Sequence, residues 1–235
     1  MKILVAFAAA LLVTVSAAEA VEIKVLSGNG AKAAVRELCT QFEKSTGNTI
    51  ELRFGVNCFD VVVGNPPIVD ALIQDGTVVG PRADIGRSGL GVAVRAGAAK
   101  PDIATVDAFK RTLLAAKAVA YPGRGASGIY FVSLLDRMGI KAEMQGKLKP
   151  MEAEDTVEVV ARGEADMVVV VATRISDVPG VDMVGPIPEE LQTKIGFAAG
   201  LGASATEPEA AKALIRFLTA PAAAATLRAK GVDPI

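Results

Sequence analysis

Short apolar segments with the pattern of buried β-strands alternate with amphipathic segments along most of this sequence. The strand pattern of residues 21–26 is followed by a helical pattern over residues 31–45. In that helix Val35, Leu38 and Phe42 recur at intervals of three and four residues, which places them on one face. Parallel neighbouring strands need a crossover connection, which is usually a helix. The alternation therefore predicts an α/β fold built on an open parallel sheet.

The strand–helix alternation occurs twice along the chain. A first series fills residues 21–84, and a second fills residues 91–194. The last strand and the two final helices need a lobe to pack on, and their return to the first lobe makes the chain cross twice. We therefore expect two Rossmann-like lobes joined by two crossing strands. Lobe 1 is expected to comprise residues 21–88 and 201–235, and lobe 2 residues 89–200 with both crossing strands.

The first twenty residues have the pattern of a secretory signal peptide. Lys2 gives a positive start, an apolar run follows over residues 3–15, and Ala18-Glu19-Ala20 forms an A-x-A cleavage signal. A membrane anchor is disfavoured because the apolar run is shorter than the ~20 residues that a bilayer requires. We expect cleavage before Val21 and export to the periplasm, with no membrane insertion of the mature chain.

Histidine is absent from the sequence. Its absence excludes Ser-His-Asp and Cys-His catalysis, and it excludes histidine-ligated metal sites. The formal net charge is −1 with no basic stripe, and tryptophan is absent, so no nucleic-acid partner is expected. No metal and no cofactor is predicted.

The two cysteines leave two alternatives open. In an exported chain Cys39 and Cys58 could form a disulfide. Alternatively, Cys39 is a small buried apolar side chain on a helix face and Cys58 a free thiol in a loop. Spacing alone does not decide between them.

A glycine-rich junction, Ser27-Gly28-Asn29-Gly30, lies between the first strand and the first helix. Free backbone N–H groups at a helix start favour an anion. The segment also fits the dinucleotide pattern G-x-G-x-x-A, but that pattern requires an acidic residue at the end of the second strand. Glu51 lies inside that strand, and Gly55 stands at its end, so a nicotinamide cofactor is not expected. A tight turn without a ligand remains the alternative.

A second junction of this kind, Gly125-Ala126-Ser127-Gly128, opens a helix in the second series. Ser127 is expected to cap that helix and to offer its hydroxyl group to an anion, with the Arg124 guanidinium beside it. Arg87, in Gly86-Arg87-Ser88-Gly89, is placed to reach a cleft between the lobes, and Tyr130 to line it. The alternatives are a capping serine beside a solvated arginine, a surface Arg87 and a core Tyr130.

Together these segments resemble the type II periplasmic solute-binding proteins, in the molybdate-binding-like branch that also includes aconitate isomerase-like proteins. The resemblance spans nearly the whole mature chain. It rests on residues 23–30 (IKVLSGNG), 59–63 (FDVVV), 86–95 (GRSGLGVAVR), 101–103 (PDI), 125–131 (GASGIYF) and 210–218 (AAKALIRFL).

The resemblance implies a small anion, either a molybdate-type oxyanion or a small polycarboxylate, held between the lobes by helix N-termini and small hydroxyl groups. It also implies a monomer that delivers its ligand to the membrane permease of an ABC-type transporter. The candidate ligand-binding residues are Ser27, Gly28, Asn29, Gly55, Arg87, Ser88, Ala126, Ser127, Gly128 and Tyr130.

Two further hypotheses remain. Isomerase-like members of the branch share the Gly-Arg-Ser-Gly and Gly-Ala-Ser-Gly segments, so the chain is alternatively an enzyme that interconverts cis- and trans-aconitate. Its base would be a carboxylate, lysine or tyrosine, since histidine is absent, and no catalytic residue is nominated. The third hypothesis is a member without a ligand. Only Val56-Asn57-Cys58 separates Gly55 from Phe59, where the family usually has a ligand-contacting loop and a short helix.

Overall fold

The computed structural model describes residues 20–53 and 58–235. The expected signal peptide, apart from Ala20, and the candidate Gly55 lie outside the described residues. The strands are β1 (Glu22–Ser27), β2 (Thr49–Arg53), β3 (Val61–Gly64), β4 (Val78–Ser88), β5 (Leu90–Arg95), β6 (Val119–Pro122), β7 (Leu148–Met151), β8 (Met167–Val171), β9 (Val181–Pro186), β10 (Ile195–Gly202) and β11 (Asp233–Pro234).

Nine α-helices occur among the described residues, together with three short 3₁₀ turns. The helices are α1 (Lys32–Thr46), α2 (Pro66–Gln74), α3 (Val106–Ala115), α4 (Ala126–Arg137), α5 (Lys141–Met144), α6 (Glu158–Ala161), α7 (Ala172–Ile175), α8 (Pro208–Thr219) and α9 (Ala224–Ala229). The 3₁₀ turns are Asn29–Ala31, Glu189–Leu191 and Pro221–Ala223.

Two mixed sheets form the two lobes. The first has the order β11-β4-β10-β3-β1-β2, and the second has the order β7-β6-β8-β5-β9. Each contains three neighbouring parallel strands, namely β2-β1-β3 and β7-β6-β8, extended by antiparallel strands. The prediction of a two-lobed α/β fold is confirmed.

The chain passes between the two sheets twice. It leaves the first sheet at Gly89, between β4 and β5, and it returns between β9 and β10. The expected boundary assigned residues 195–200 to lobe 2, whereas β10 pairs with β3 and β4 in the first sheet. β10 packs closely in this sheet, since a Cβ on Gly200 would lie 2.7 Å from the Val78 side chain.

Apolar side chains bury the contact between the lobes. The predicted helix face of α1 is buried, with Val35, Leu38 and Phe42 each at most 2% exposed. These residues belong to one hydrophobic core that continues through Phe197 of β10 to Val171 of β8. A second core lies within the other lobe, beneath α3 and α4. Apolar side chains of the two lobes therefore pack against each other near the carboxyl ends of β1 and β3.

Both cysteines are free thiols, with Cys39 buried and Cys58 exposed. Within the described residues, no single helix is long and apolar enough to cross a membrane; a bent pair, Pro208–Thr219 with Pro221–Ala229, passes that test by length and composition alone.

Candidate functional site

A cavity of about 220 Å³ lies between the lobes, at the carboxyl ends of β1, β3, β6 and β8. Ligand sites of open α/β sheets form at such strand ends. Its lobe 1 wall consists of Gly28, Asn29, Gly30, Ala31, Val63, Gly64, Asn65, Ile195 and Phe197. Its lobe 2 wall consists of Pro122, Arg124, Gly125, Ala126, Ser127, Ala153, Val170, Val171 and Arg174.

The turn after β1 brings backbone donors to the lobe 1 wall. Gly28 is tied to the next strand, because its N–H donates to the Val63 carbonyl oxygen at 2.8 Å. The first helical hydrogen bond runs from the Lys32 N–H to the Asn29 carbonyl oxygen, so the N–H groups of residues 29–31 precede it. Gly30 is required here, because a Cβ would lie 2.9 Å from the Phe197 ring.

The start of α4 supplies a matching set of donors from lobe 2. Gly125 is the N-cap with φ of 124°, a conformation that glycine readily adopts. The first helical bond joins the Ile129 N–H to the Gly125 carbonyl oxygen at 3.1 Å, so the N–H groups of residues 126–128 precede it. Ser127 is buried inside this first turn, where the N-cap position is occupied by Gly125. The capping role predicted for Ser127 is therefore wrong.

The start of α2 contributes differently to the cavity. Pro66 and Pro67 occupy its first positions, and prolines have no N–H to donate. The preceding Asn65 lines the cavity, and its Nδ2 donates to the Gly196 carbonyl oxygen at 2.9 Å. This helix start thus offers fewer donors than those of α1 and α4.

Arg174, on α7, is a buried cation in the cavity wall. The residue is 6% exposed. Its Nη2 donates to the Glu158 carboxylate at 3.1 Å and to the Ala153 carbonyl oxygen at 3.3 Å. Its Nε is buried and has no hydrogen-bond partner. Together with the exposed Arg124, it gives the cavity a positive character, because no acidic side chain occurs among the described lining residues.

Two hydrogen bonds cross from lobe to lobe beside the cavity. Asn29 Nδ2 donates to Glu154 Oε1 at 2.9 Å, and Thr173 Oγ1 donates to the Gly30 carbonyl oxygen at 2.6 Å. The Asn29 hydrogen bond is the largest cause that lowers the pKa of Glu154, followed by a backbone hydrogen bond. The lobes are thus closed against each other on this side.

Four of the candidate residues line the cavity: Gly28, Asn29, Ala126 and Ser127. Ser27 lies behind the wall, buried at the end of β1, where its Oγ donates to the Gly28 carbonyl oxygen at 3.1 Å. Gly128 serves the packing of α4, because a Cβ there would lie 1.7 Å from the Pro122 carbonyl oxygen.

Three candidates lie away from the cavity. Arg87 is exposed on β4, where it pairs with Gly196 and Asp233 of the neighbouring strands. Ser88 is buried in the same strand. Tyr130 packs against the lobe 2 core, and its hydroxyl group donates to the Leu191 carbonyl oxygen at 3.0 Å. The core alternative therefore describes Tyr130, and the surface alternative describes Arg87.

Sequence reasoning missed Asn65, Phe197 and Arg174. Asn65 carried a usable signal, because it directly precedes two prolines at the end of a short apolar strand. Arg174 carried a weaker signal, because it lies three residues after the very apolar strand β8. Its burial beside Glu158 depends on the packing of distant segments.

Residues 58–233 match the model of the family described as bacterial extracellular solute-binding protein. This chain belongs to that family. The solute-binding assignment made from the sequence is thereby confirmed, and the relatives span both hypotheses about activity. An aconitate isomerase from Pseudomonas sp. is 34% identical over 229 residues, which cover 90% of this chain and 87% of that protein.

Solved structures share the fold of this solute-binding protein. The periplasmic molybdate-binding protein of Azotobacter vinelandii superposes with a TM-score of 0.74 at 19% identity, over 89% of this chain and 98% of the other. The sulfate-binding protein SubI of Mycobacterium tuberculosis H37Rv gives 0.69 at 18% identity, over 92% and 87% of the two chains. At these identities the likeness establishes the fold.

Proposed function

We propose that this protein binds a small anion in the cavity between its lobes and delivers it, as a monomer, to the permease of an ABC-type transporter. The observation that carries the proposal is Arg174, a guanidinium buried in the wall with its Nε unpartnered. A buried charge is costly unless it is fully paired, and Glu158 engages only one of its nitrogens. An anion bound in the cavity beside it would offset that buried positive charge.

The helix starts support the same proposal. α1 and α4 begin on opposite walls, so their leading N–H groups and positive dipole ends face a shared space. An anion bound there would contact both lobes, and it would favour the closed arrangement over an open one. Related proteins whose names record molybdate or sulfate binding are consistent with this chemistry.

A second candidate function is the isomerisation of aconitate, favoured by the 34% identical relative. Moving an allylic proton requires a base whose pKa lies near the operating pH. The ionisable side chains that line the described cavity are Arg124 and Arg174, and a guanidinium has only donors and no acceptor to take up a proton. Glu154 is near, but its pKa is lowered, which makes its carboxylate a weaker base. The lining thus favours binding over proton transfer.

One experiment separates these functions. The chain from Val21 onward is screened for thermal stabilisation by molybdate, tungstate, sulfate, citrate, tricarballylate and both aconitates. A ligand at 100 times its Kd stabilises by about 2.7 kcal/mol, which raises Tm by about 5–10 °C for a chain of this size. Incubation with each aconitate then tests interconversion. Stabilisation without interconversion supports the proposal, interconversion supports the isomerase, and stabilisation by none of the anions rejects the binding proposal.

The proposed location is the periplasm, after removal of residues 1–20. The support is the charged start, the apolar run and the A-x-A signal, together with membership of an extracellular solute-binding family. Amino-terminal sequencing of the exported protein tests the proposal. A start at Val21 agrees with it, and an uncleaved chain retained in the cytoplasm contradicts it.

A further inference from the structure

The two segments that cross between the lobes run side by side, but the strand pairing between them is interrupted at the crossing. In the first sheet, the pairing of β4 with β10 ends at Ser88 and Ile195. In the second sheet, the pairing of β5 with β9 begins at Gly91 and Pro186. The joint between the lobes therefore lies where the strand ladder is broken, and other contacts must hold the two segments together there.

The Gln192 side chain fills this gap. Its Oε1 accepts from the Leu90 N–H at 2.8 Å and from the Thr193 N–H at 3.1 Å, so one oxygen holds an N–H group from each crossing segment. Its Nε2 donates to the Leu90 carbonyl oxygen at 3.0 Å. Backbone N–H groups can only donate, so the amide oxygen must be the atom that faces them. The side-chain amide thus pairs with Leu90 as the backbone of a neighbouring strand would.

Gly89, in the first crossing segment, makes room for this amide. A Cβ on Gly89 would lie 3.0 Å from Gln192 Cδ and 3.1 Å from both its Oε1 and its Nε2. Gly89 is not among the glycines with positive φ, so its backbone conformation does not require glycine. The close approach of the Gln192 amide does. The first crossing segment is therefore shaped to hold a side chain of the second.

The segment that carries Gln192 also contacts both walls of the cavity. Leu191 accepts a hydrogen bond at 3.0 Å from the hydroxyl group of Tyr130 on α4, and the first turn of α4 lines the cavity from lobe 2. Ile195, three residues after Gln192, lines the cavity from lobe 1. The geometry of this joint therefore affects how one wall of the cavity is placed relative to the other.

We propose that Gln192 joins the two crossing segments into a single hinge and thereby sets the orientation of the two lobes on either side of the cavity. Gln192 is a positioning residue, because it acts on the cavity through the crossing segments. The proposal concerns the protein without ligand and does not depend on which anion binds. The lobe contacts of Asn29 and Thr173 lie elsewhere, so a change at Gln192 tests the hinge separately.

Gln192→Met tests the hinge, because methionine has a similar length but no amide group. In the ¹⁵N-labelled chain from Val21, hydrogen exchange measures the protection of the Leu90 and Thr193 N–H groups. Residual dipolar couplings of the strands in the two sheets measure the orientation of the lobes. We expect both N–H groups to exchange at least about tenfold faster, because they lose their acceptor. We also expect the couplings no longer to fit the lobe orientation of the wild type.

Gln41→Met is the matched control, because Gln41 Nε2 donates to Thr226 Oγ1 at 3.2 Å and so links α1 to α9 within lobe 1. This variant should keep the lobe orientation of the wild type. Gly89→Ala displaces the Gln192 amide from the other segment and should reproduce the effect of Gln192→Met; it decides if Gln192→Met does not fold. An unchanged lobe orientation in Gln192→Met overturns the proposal, even with faster exchange, as does an equal change in Gln41→Met.

Discussion

The Thr173 hydroxyl group donates a 2.6 Å hydrogen bond to the Gly30 carbonyl oxygen, and this bond joins α7 of one lobe to the turn before α1 of the other. Thr173 is buried, and Gly30 is half-buried, so the bond is partly shielded from water. Beside it, Asn29 and Glu154 make the second contact across the lobes. The polar contacts that hold the lobes together therefore come from the same turn that lines the cavity.

Thr173→Val removes this donor while nearly keeping the side-chain shape. We expect the free energy of unfolding to fall by about 1 kcal/mol, because the half-buried Gly30 carbonyl oxygen loses its partner. Urea denaturation measures the change. Thr219→Val is the control, because its hydroxyl group bonds within α8, to the Ile215 carbonyl oxygen, and the expected loss is below about 0.5 kcal/mol. Equal losses in the two variants would contradict the role of the lobe contact.

Gly128→Ala tests how α4 is positioned on the cavity wall. The new Cβ would lie 1.7 Å from the Pro122 carbonyl oxygen, which is backbone and cannot rotate away. We expect a loss of about 3 kcal/mol in the free energy of unfolding, at the upper end of ordinary overpacking. Gly146→Ala is the matched control, because nothing lies within 4 Å of its Cβ position, and we expect a change within about 1 kcal/mol. A Gly128→Ala protein as stable as the control would contradict the packing described for α4.

The two cysteines differ in reactivity. Burial, and then the nearby Glu43 charge, raise the pKa of Cys39 to about 12, so little thiolate forms at neutral pH. Cys58 is exposed. We expect a chromogenic disulfide reagent to modify one thiol rapidly in the native protein and the second only after denaturation. A native protein with no reactive thiol, and two after reduction, would instead establish a Cys39–Cys58 disulfide.

The lowered pKa of Glu154 predicts that the contact between the lobes depends on pH. Its folded-state pKa is lowered, so its contribution to stability is present above the unfolded value of about 4.3 and is lost as pH falls through the folded pKa. Glu154→Gln should therefore be less stable than the wild type at pH 7, with the difference disappearing at acid pH. The effect is small, because the side chain is exposed. Urea denaturation at pH 7 and pH 3.5 measures it, and a difference that grows on acidification would refute the assignment.

The strongly periodic elements were predictable from sequence, because their burial follows local patterns. The apolar face of α1 and the five valine-rich residues of β8 both appear as expected. β4 was missed, because Gly80 and Pro81 interrupt the alternation, and the strand pairs with β10 through two register shifts. Such irregular pairing is defined by the partner strand, which local sequence does not reveal.

The site was predictable where a glycine-rich turn precedes a helix, as at Asn29 and Ser127, because helix starts expose backbone donors wherever they occur. Arg87 and Arg174 show why the positions of the arginine side chains could not be predicted from the sequence. Both follow apolar or alternating strand residues, but β4 directs Arg87 to the surface, whereas α7 buries Arg174 beside Glu158. That difference arises from contacts between segments far apart in the sequence.

The central claim is that a small anion binds between the lobes against Arg174, and calorimetric titration of two arginine variants tests it most directly. The titrant is whichever anion stabilises the wild type most in the thermal screen. We predict that Arg174→Gln weakens binding by about 10- to 150-fold, the loss expected for a hydrogen bond to a charged group of about 1.5–3 kcal/mol. Arg87→Gln should bind within about twofold of the wild type. Equal affinities for Arg174→Gln and Arg87→Gln, with both variants folded by circular dichroism, would contradict the account.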